Sequence, residues 1–401
     1  MKSRLLFICS VGYKNSYYII KIIINLRNNN AMNKFELINA DCLDVLKSWK
    51  GEGLDLIYID PPFNSEREYY YISGFGLGNK QAFTDVFVSA NIEAGLETLK
   101  TECLRAYEYL KFIKPDVTAS LFNYLVYMAP RLALMRKALK ETGSIYVHCD
   151  DAAAFHLKCL MDYIYNPSNF RNCIIWQRAN GMNVPVNRFI RNADYILFYT
   201  KSKVYTFNAQ YTQLKEVSEK RYNKTDEFGR RYKLEKVKST SSRIGWTSAK
   251  TWVIDGVTYE AGEEHRFIWT QKTLDERRAE HRAKYGTELI EIAEDGAPRI
   301  KSYLEESKGC LVKTVWTDVN MLNSCSNERL GYPTQKPEAL LERIIKASSN
   351  PGDLVADFFM GSGTTGAAAL KLGRRFVGCD INPEAIRMAT MRLEAINGQA
   401  G

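Results

Sequence analysis

Short apolar runs that stop on an acid alternate along this chain with longer stretches whose apolar residues recur at helical spacing. Phe35 to Asp41 reads as a strand ending at an acid, and Cys42 to Trp49 as a short helix. Leu54-Asp55-Leu56-Ile57-Tyr58-Ile59-Asp60 is a second strand of the same kind. Leu121 to Leu139 carries a helical repeat, and Gly143 is the expected C-cap after Lys140-Glu141-Thr142. Ser144 to His148 is a strand and Ala152 to Tyr165 a helix, followed by strands at Cys173 to Trp176 and Tyr195 to Tyr199. The pattern resumes with an amphipathic helix from Pro337 to Ser348, a turn at Asn350 to Asp353 and a strand from Leu354 to Phe359. A helix from Thr364 to Leu372, a strand from Arg375 to Asp380 and a helix from Pro383 close it. Apolar strands alternating with helices indicate an α/β fold around a largely parallel sheet.

Two stretches break the pattern. Residues 64–115 are rich in glycine, tyrosine and charge, with Gly74-Phe75-Gly76-Leu77-Gly78 at their centre. They read as a long loop over the site, with some helix around 92–112. Residues 201–310 form the second break. Positions 201–250 hold 13 Lys and Arg against 5 Asp and Glu, an excess of 13 − 5 = +8, against a net charge of +9 for all 401 residues. Tyr205, Phe207, Tyr211, Tyr222, Phe228, Tyr232 and Trp246 are interleaved, with hydroxyls at Ser239-Thr240-Ser241-Ser242. Mixed basic and aromatic residues suit phosphate contacts and base stacking, although lysine-rich segments also serve as plain solvated surface. Residues 251–310 read as short strands with a charged helix from Thr273 to Tyr285.

A length of 401 residues exceeds one ordinary core, so a main domain and a smaller one are expected. The expected division is an N-terminal extension over 1–31, one half of the main domain over 32–200, an insert over 201–310 and the other half over 311–401. Residues 1–31 lack a small-residue cleavage site and an uninterrupted apolar span, which argues against a signal peptide or a membrane helix. Their Ile/Asn/Lys/Tyr bias resembles translated leader sequence, so Met32 is the expected natural start; N-terminal peptides read by mass spectrometry decide this. Nine scattered cysteines without a C-x-x-C pair indicate a reducing, cytoplasmic setting with free thiols. The four histidines show no metal spacing, so no metal is expected.

Two constellations carry chemistry. In Asp60-Pro61-Pro62-Phe63 the prolines offer no N–H to a sheet ladder, so the chain leaves the sheet with a stiff backbone at a strand's carboxyl end. Ligands bind at that edge of open α/β sheets. The Asp60 carboxylate and the Pro61 carbonyl are two fixed acceptors that suit a planar NH₂, and Phe63 offers a stacking face. The second constellation is Gly361-Ser362-Gly363-Thr364-Thr365-Gly366, which follows a strand and opens a helix. Its glycines let the backbone approach a ligand. Asp380 ends the next strand about twenty residues on, where an acid binds the ribose hydroxyls of an adenosine-containing ligand. A nicotinamide dehydrogenase stays open at this point. A P-loop does not, since no Gly-Lys-Ser/Thr is present.

With both motifs in this order, residues 35 to 395 resemble the amino-group DNA methyltransferases of the permuted beta type. Tyr332-Pro333-Thr334-Gln335-Lys336-Pro337-Glu338 is similar to that family's T-Q-K-P segment. The block from Gly143 to Asp150 resembles one in modification subunits of type III restriction-modification systems, and the block from Asp194 to Tyr199 resembles a further family block. The resemblance implies a Rossmann-like, S-adenosylmethionine-dependent methyltransferase sheet in permuted motif order, with a target-recognition domain inserted at 201–310. It implies that Asp60 and Pro61, backed by Pro62, hold the target amino group and that Phe63 stacks on a flipped base. It further implies that Phe359, Gly361 and Gly363 shape the methionine pocket and that Thr364 caps the helix and meets the methionine carboxylate. Asp380 takes the ribose, Asp41 faces the adenine side, and Lys336 approaches the cofactor. The family often has Asp-Pro-Phe before the glycine loop, where this chain has Phe358 in place of the proline. The implied reaction is methylation of adenine N6 in double-stranded DNA by base flipping and direct transfer. Cytosine N4 is the alternative, and a protein glutamine methyltransferase a more remote one. A restriction subunit and a second copy of the chain are the protein partners left open, and no membrane partner is expected.

Overall fold

Leu54–Ile59 sits at the middle of a nine-stranded sheet and is buried on both faces, which is why its sequence is nearly all apolar. A computed structural model of the chain describes residues 20–22, 34–51, 53–63, 68–71, 81–84, 92–178, 187, 189–240, 249–323 and 325–399. The expectations for the glycine run 74–78, for Ser241, Ser242 and Trp246, and for most of 1–31 lie outside the described residues. Two compact units emerge, Met1–Gln210 with Val312–Gly401, and Tyr211–Leu311.

In the first unit the strands lie in the order Ile20–Ile22, Phe35–Asn39, Arg375–Asp380, Leu354–Asp357, Leu54–Ile59, Leu139–Cys149, Ala193–Thr200, Phe170–Gln177 and Val315–Trp316. The five from Phe35–Asn39 to Leu139–Cys149 are mutually parallel. Ile20–Ile22 is an antiparallel edge strand on Leu37–Asn39, within the stretch expected to be an extension. The two strands nearest the C-terminus thus lie between Phe35–Asn39 and Leu54–Ile59. Alternate residues of Leu54–Ile59 feed opposite layers, Ile57 and Ile59 one and Leu56 and Tyr58 the other. Helices Cys42–Lys47, Ala119–Ala138 and Ala154–Tyr165 cover the first face. Glu338–Ser348, Thr364–Lys371 and Pro383–Gln399 cover the second. The amphipathic pattern of 338–348 places Leu340, Leu341, Ile344 and Ile345 in that second layer, all fully buried.

Some boundaries differ from the sequence expectation, each for a physical reason. The helix expected over 92–112 is two helices, Ile92–Glu102 and Leu104–Ile113, broken at Cys103. Gly143 is not a helix cap. Helix Ala119–Ala138 passes straight into the strand at Leu139. The pairing then advances from Leu139 to Ser144 on one strand while advancing only from Leu54 to Leu56 on the other. The extra residues form a bulge in which Lys140 Nζ donates to both oxygens of Asp55 at 2.8 Å, and Asp55 also accepts from Leu354 N at 2.9 Å. Gly143 is needed for close approach, because a Cβ there would lie 2.8 Å from the Leu54 carbonyl oxygen.

The second unit begins at Tyr211, later than the composition change at 201. Residues 201–210 stay with the first unit, where Phe207 stacks on Phe198 and Asn208 Nδ2 donates to the carbonyls of Lys346 and Ser349. The second unit holds a four-stranded antiparallel sheet ordered Lys224–Thr225, Arg231–Lys236, Pro298–Tyr303 and Ile290–Ile292. Its 15-residue helix, Gln271–Tyr285, is capped by Thr270 and ends at Gly286 in the left-handed region. Tyr222 and Tyr232 are core residues here, not exposed stacking faces, whereas Phe228 and Tyr211 are exposed. Among the described residues no helix is long and apolar enough to cross a membrane.

The bulge makes a sharp test of packing. Gly143→Ala should destabilise the chain by roughly 1–3 kcal/mol through overpacking. Urea unfolding measures this, and a wild-type midpoint would show that the bulge tolerates a methyl group.

Candidate active site

The five parallel strands point their carboxyl ends to one edge of the sheet, and an aspartate closes or follows each of them: Asp41, Asp60, Asp150, Asp357 and Asp380. A cavity of about 1100 Å³ lies along that edge. Asp41, Asp60, Pro61, Pro62, Phe63, Lys336, Phe359, Gly361, Thr364 and Asp380 all line it. Gly363 stands just behind the wall, where a Cβ would lie 2.8 Å from that of Ala389.

Besides the exposed Asp44, the cavity is lined by Asp41, Asp60, Asp357 and Asp380, whose carboxyls repel one another and lose hydration, so each needs its own compensation. Asp41 is held twice. It accepts from Leu43 N at 2.7 Å as the cap of helix Cys42–Lys47, and both of its oxygens accept from Arg131 Nη2 at 2.7 Å. Asp60 Oδ2 is paired with the buried ammonium of Lys336, which also lies 5.3 Å from the Phe63 ring centre. Asp380 accepts from Gly361 N at 2.9 Å and Asn382 N at 2.8 Å, and burial still raises its carboxyl to about 6. Asp357 is pushed by burial to about 7, although the Thr365 hydroxyl and Phe359 N both donate to it.

The glycine loop is shaped by two left-handed residues, Gly361 at φ 51° and Gly363 at φ 76°. A Cβ on Gly361 would come within 2.9 Å of the Tyr332 ring, so only glycine leaves this wall open. Gly363 is the cap residue of helix Thr364–Lys371. The capping role expected of Thr364 is therefore corrected: it is the first helical residue, and its hydroxyl accepts from Arg392 Nη1 at 3.0 Å. Phe358, standing where the family often has proline, packs edge-on against Trp49 in the core at 6.2 Å.

A buried polar chain supports the other wall. Phe63 stacks on the His148 ring at 5.8 Å and 22°. His148 is fully buried, with Nδ1 2.8 Å from the Tyr58 hydroxyl and Nε2 3.1 Å from Asp194 Oδ2. Burial alone would raise the Asp194 carboxyl, but His148, Lys336 and Arg178 together hold it below its usual range. The Cys42 thiol, also on the cavity, is pushed up to about 12 by burial, so it is no thiolate nucleophile.

Several residues that matter here escape motif reading. Arg131 is signalled only as a lone charge inside the apolar helical run Ala129 to Met135. Asp357 is visible as an acid ending the strand before the glycines. Asn382 follows Asp380 closely, and its side chain donates to the Tyr71 hydroxyl at 3.0 Å and the Ala82 carbonyl at 2.6 Å. It thereby fixes the antiparallel strand pair Glu68–Tyr70 and Gln81–Thr84, within the stretch read as loop, against the cavity rim.

A family model described as DNA methylase matches residues 54–391. The chain is 32% identical over 335 residues to the type II methyltransferase M.EcaI of Enterobacter cloacae, covering 82% of this chain and 62% of that one. It is 30% identical over 372 residues to the StyLTI Mod subunit of a type III restriction-modification enzyme of Salmonella typhimurium, covering 88% and 53%. A shorter match, 55% identical over 80 residues, covers 20% of this chain and 27% of the DNA adenine methyltransferase YhdJ of Escherichia coli. The chain therefore spans less than two thirds of the length of these curated relatives.

The buried acid makes a testable contribution to stability. Asp357 holds its proton to about 7 when folded, against 3.8 ordinarily, so the unfolded chain ionises first as pH rises. Its contribution is complete below the lower value, falls between the two, and is level above the higher. Asp357→Asn should therefore gain thermal stability relative to wild type as pH rises from 4 to 7. Melting curves across that range check this, and parallel curves for the two proteins would contradict it.

Proposed function

The chain belongs to the DNA methylase family, and on that footing we propose that it methylates the N6 amino group of adenine in double-stranded DNA. The observation that carries this reading is Asp60. Its Oδ1 is buried and, among the described residues, has no hydrogen-bond partner, while it shares one cavity with Asp380 and the glycine loop. An acceptor left bare in a low-dielectric site is costly unless a ligand donor meets it. An exocyclic amino group is such a donor.

The residues fit S-adenosylmethionine. Gly361 keeps open a wall that any side chain would close against Tyr332, and the Asp380 carboxylate faces the cavity for the ribose. Bound there, the cofactor supplies an electrophilic methyl group. The protein then contributes orientation: Asp60 and the Pro61 carbonyl hold the NH₂, and Phe63, backed by His148, offers the flipped base a flat face. Flipping costs roughly a few kcal/mol, which stacking and the amino-group contacts offset. Adenine is favoured over cytosine by the Asp at position 60, where the resemblance associates Asp with N6 and Ser with N4. The match to a relative named an adenine methyltransferase favours it too.

We assign target recognition to the compact unit Tyr211–Leu311, whose basic N-terminal part suits a polyanion. The likeness to a Mod subunit makes a restriction subunit a partner to seek by co-purification.

Two outcomes are expected. Incubation with labelled cofactor and duplex DNA, followed by nucleoside analysis, should give N6-methyladenine; N4-methylcytosine would replace the adenine reading. Asp60→Ala should abolish methylation while cofactor binding, measured by calorimetry, persists. Near-normal turnover in that variant would remove Asp60 from the reaction.

A further inference from the structure

The family resemblance places Lys336 beside the cofactor, but its ammonium already has a partner, the Asp60 carboxylate, contributed by a strand 276 residues earlier. We infer that Lys336 is a positioning residue for the target amino group: it clamps Asp60 Oδ2 so that Oδ1 alone faces the incoming base. This rests on the methyltransferase reading above and adds to it the residue that sets the acceptor geometry.

Three observations carry it. The pair is nearly enclosed, with side-chain exposures of 10% for Lys336 and 18% for Asp60, so it is not a solvated surface contact. The two carboxylate oxygens are in different states: Oδ2 is bonded, and Oδ1 is buried and, among the described residues, unbonded. A free carboxylate could turn about its last torsion and offer either oxygen, whereas a clamped one presents a single fixed acceptor. The segment that delivers Lys336 is itself built for the purpose. Thr334 sits at φ 59°, a left-handed conformation that a β-branched residue rarely adopts. Such strain persists only where its surroundings enforce it. The next residue, Gln335, is tied on both sides, its amide donating to the Glu328 carbonyl at 2.6 Å and accepting from Leu330 N at 2.9 Å. Pro337 stiffens the far side, and Lys336 Nζ reaches back to the Thr334 carbonyl at 3.4 Å.

The ion pair also makes the acceptor site electrically neutral before the base arrives. A neutral NH₂ then enters without leaving a bare buried anion, and Asp60 keeps its acceptor lone pairs. Phe63 shares the same cation, so the stacking face and the amino-group acceptor are referenced to one point.

The test compares wild type, Lys336→Met, Lys336→Gln and Lys336→Arg by steady-state methylation of duplex DNA, cofactor calorimetry and thermal melting. Lys336→Met should lower kcat about 100-fold, the scale of a misplaced reacting group. Its cofactor affinity should be unchanged, and Lys336→Arg should recover most of the loss. Lys336→Gln, polar and uncharged, supplies the same comparison if the methionine variant does not fold. Wild-type protein that methylates no DNA would overturn the methyltransferase reading, and this inference with it. Wild-type methylation with a full kcat in the uncharged variants, or a loss confined to cofactor affinity, would overturn the positioning role alone.

Discussion

Asp41, Asp60, Asp357 and Asp380 share one edge of a parallel sheet, and much of the first unit is arranged to keep them there. Parallel strands present their carboxyl ends together, which concentrates these residues and the cavity on one side. Such crowding is tolerable only with compensation, and each acid has a different one. Asp41 has Arg131 and a helix N-terminus, Asp60 has Lys336, Asp380 has backbone N–H groups, and Asp357 keeps its proton to about 7. The variety is informative. A fixed guanidinium suits an acid that holds a helix in place. A single ammonium on one oxygen leaves the other oxygen of Asp60 without a hydrogen bond among the described residues.

The two walls of the cavity are built on opposite principles. The wall at Gly361 is backbone: left-handed glycines bring main chain close to the space and exclude side chains from it. The wall at Phe63 is side chain: Phe63 rests on His148, which is locked by Tyr58 and Asp194 and closed in by Trp176. A backbone wall adapts little and suits an invariant ligand. A stacked aromatic wall accepts any flat ring, which leaves discrimination among flat rings to the polar groups beside it.

Much of this was legible in the amino-acid order because the signals are local. A strand that runs into Asp-Pro-Pro must leave the sheet, and a glycine loop between a parallel strand and a helix lies at the carboxyl edge of the sheet. Gly143 shows the limit of local signals. After a helical pattern it looks like a cap, yet it is a strand bulge pressed against the Leu54 carbonyl, a neighbour about ninety residues earlier. Tyr222 and Tyr232 show another: among lysines they look like stacking residues, but they are core to a unit whose sheet could not be placed in advance.

What the sequence by itself determined is the set of parts: the Asp-Pro-Pro turn at Asp60, the glycine loop at 361–363, the acid at 380 and the basic stretch at 201–250. Tertiary structure alone decided their arrangement. Strands Leu354–Asp357 and Arg375–Asp380 enter between Phe35–Asn39 and Leu54–Ile59, so motifs some 300 residues apart become adjacent. It also decided that Lys336 belongs to Asp60. Periodicity reports which face of an element is buried, but not which strand lies beside it. Pairing is settled by which apolar faces and buried charges can satisfy one another across the whole sheet.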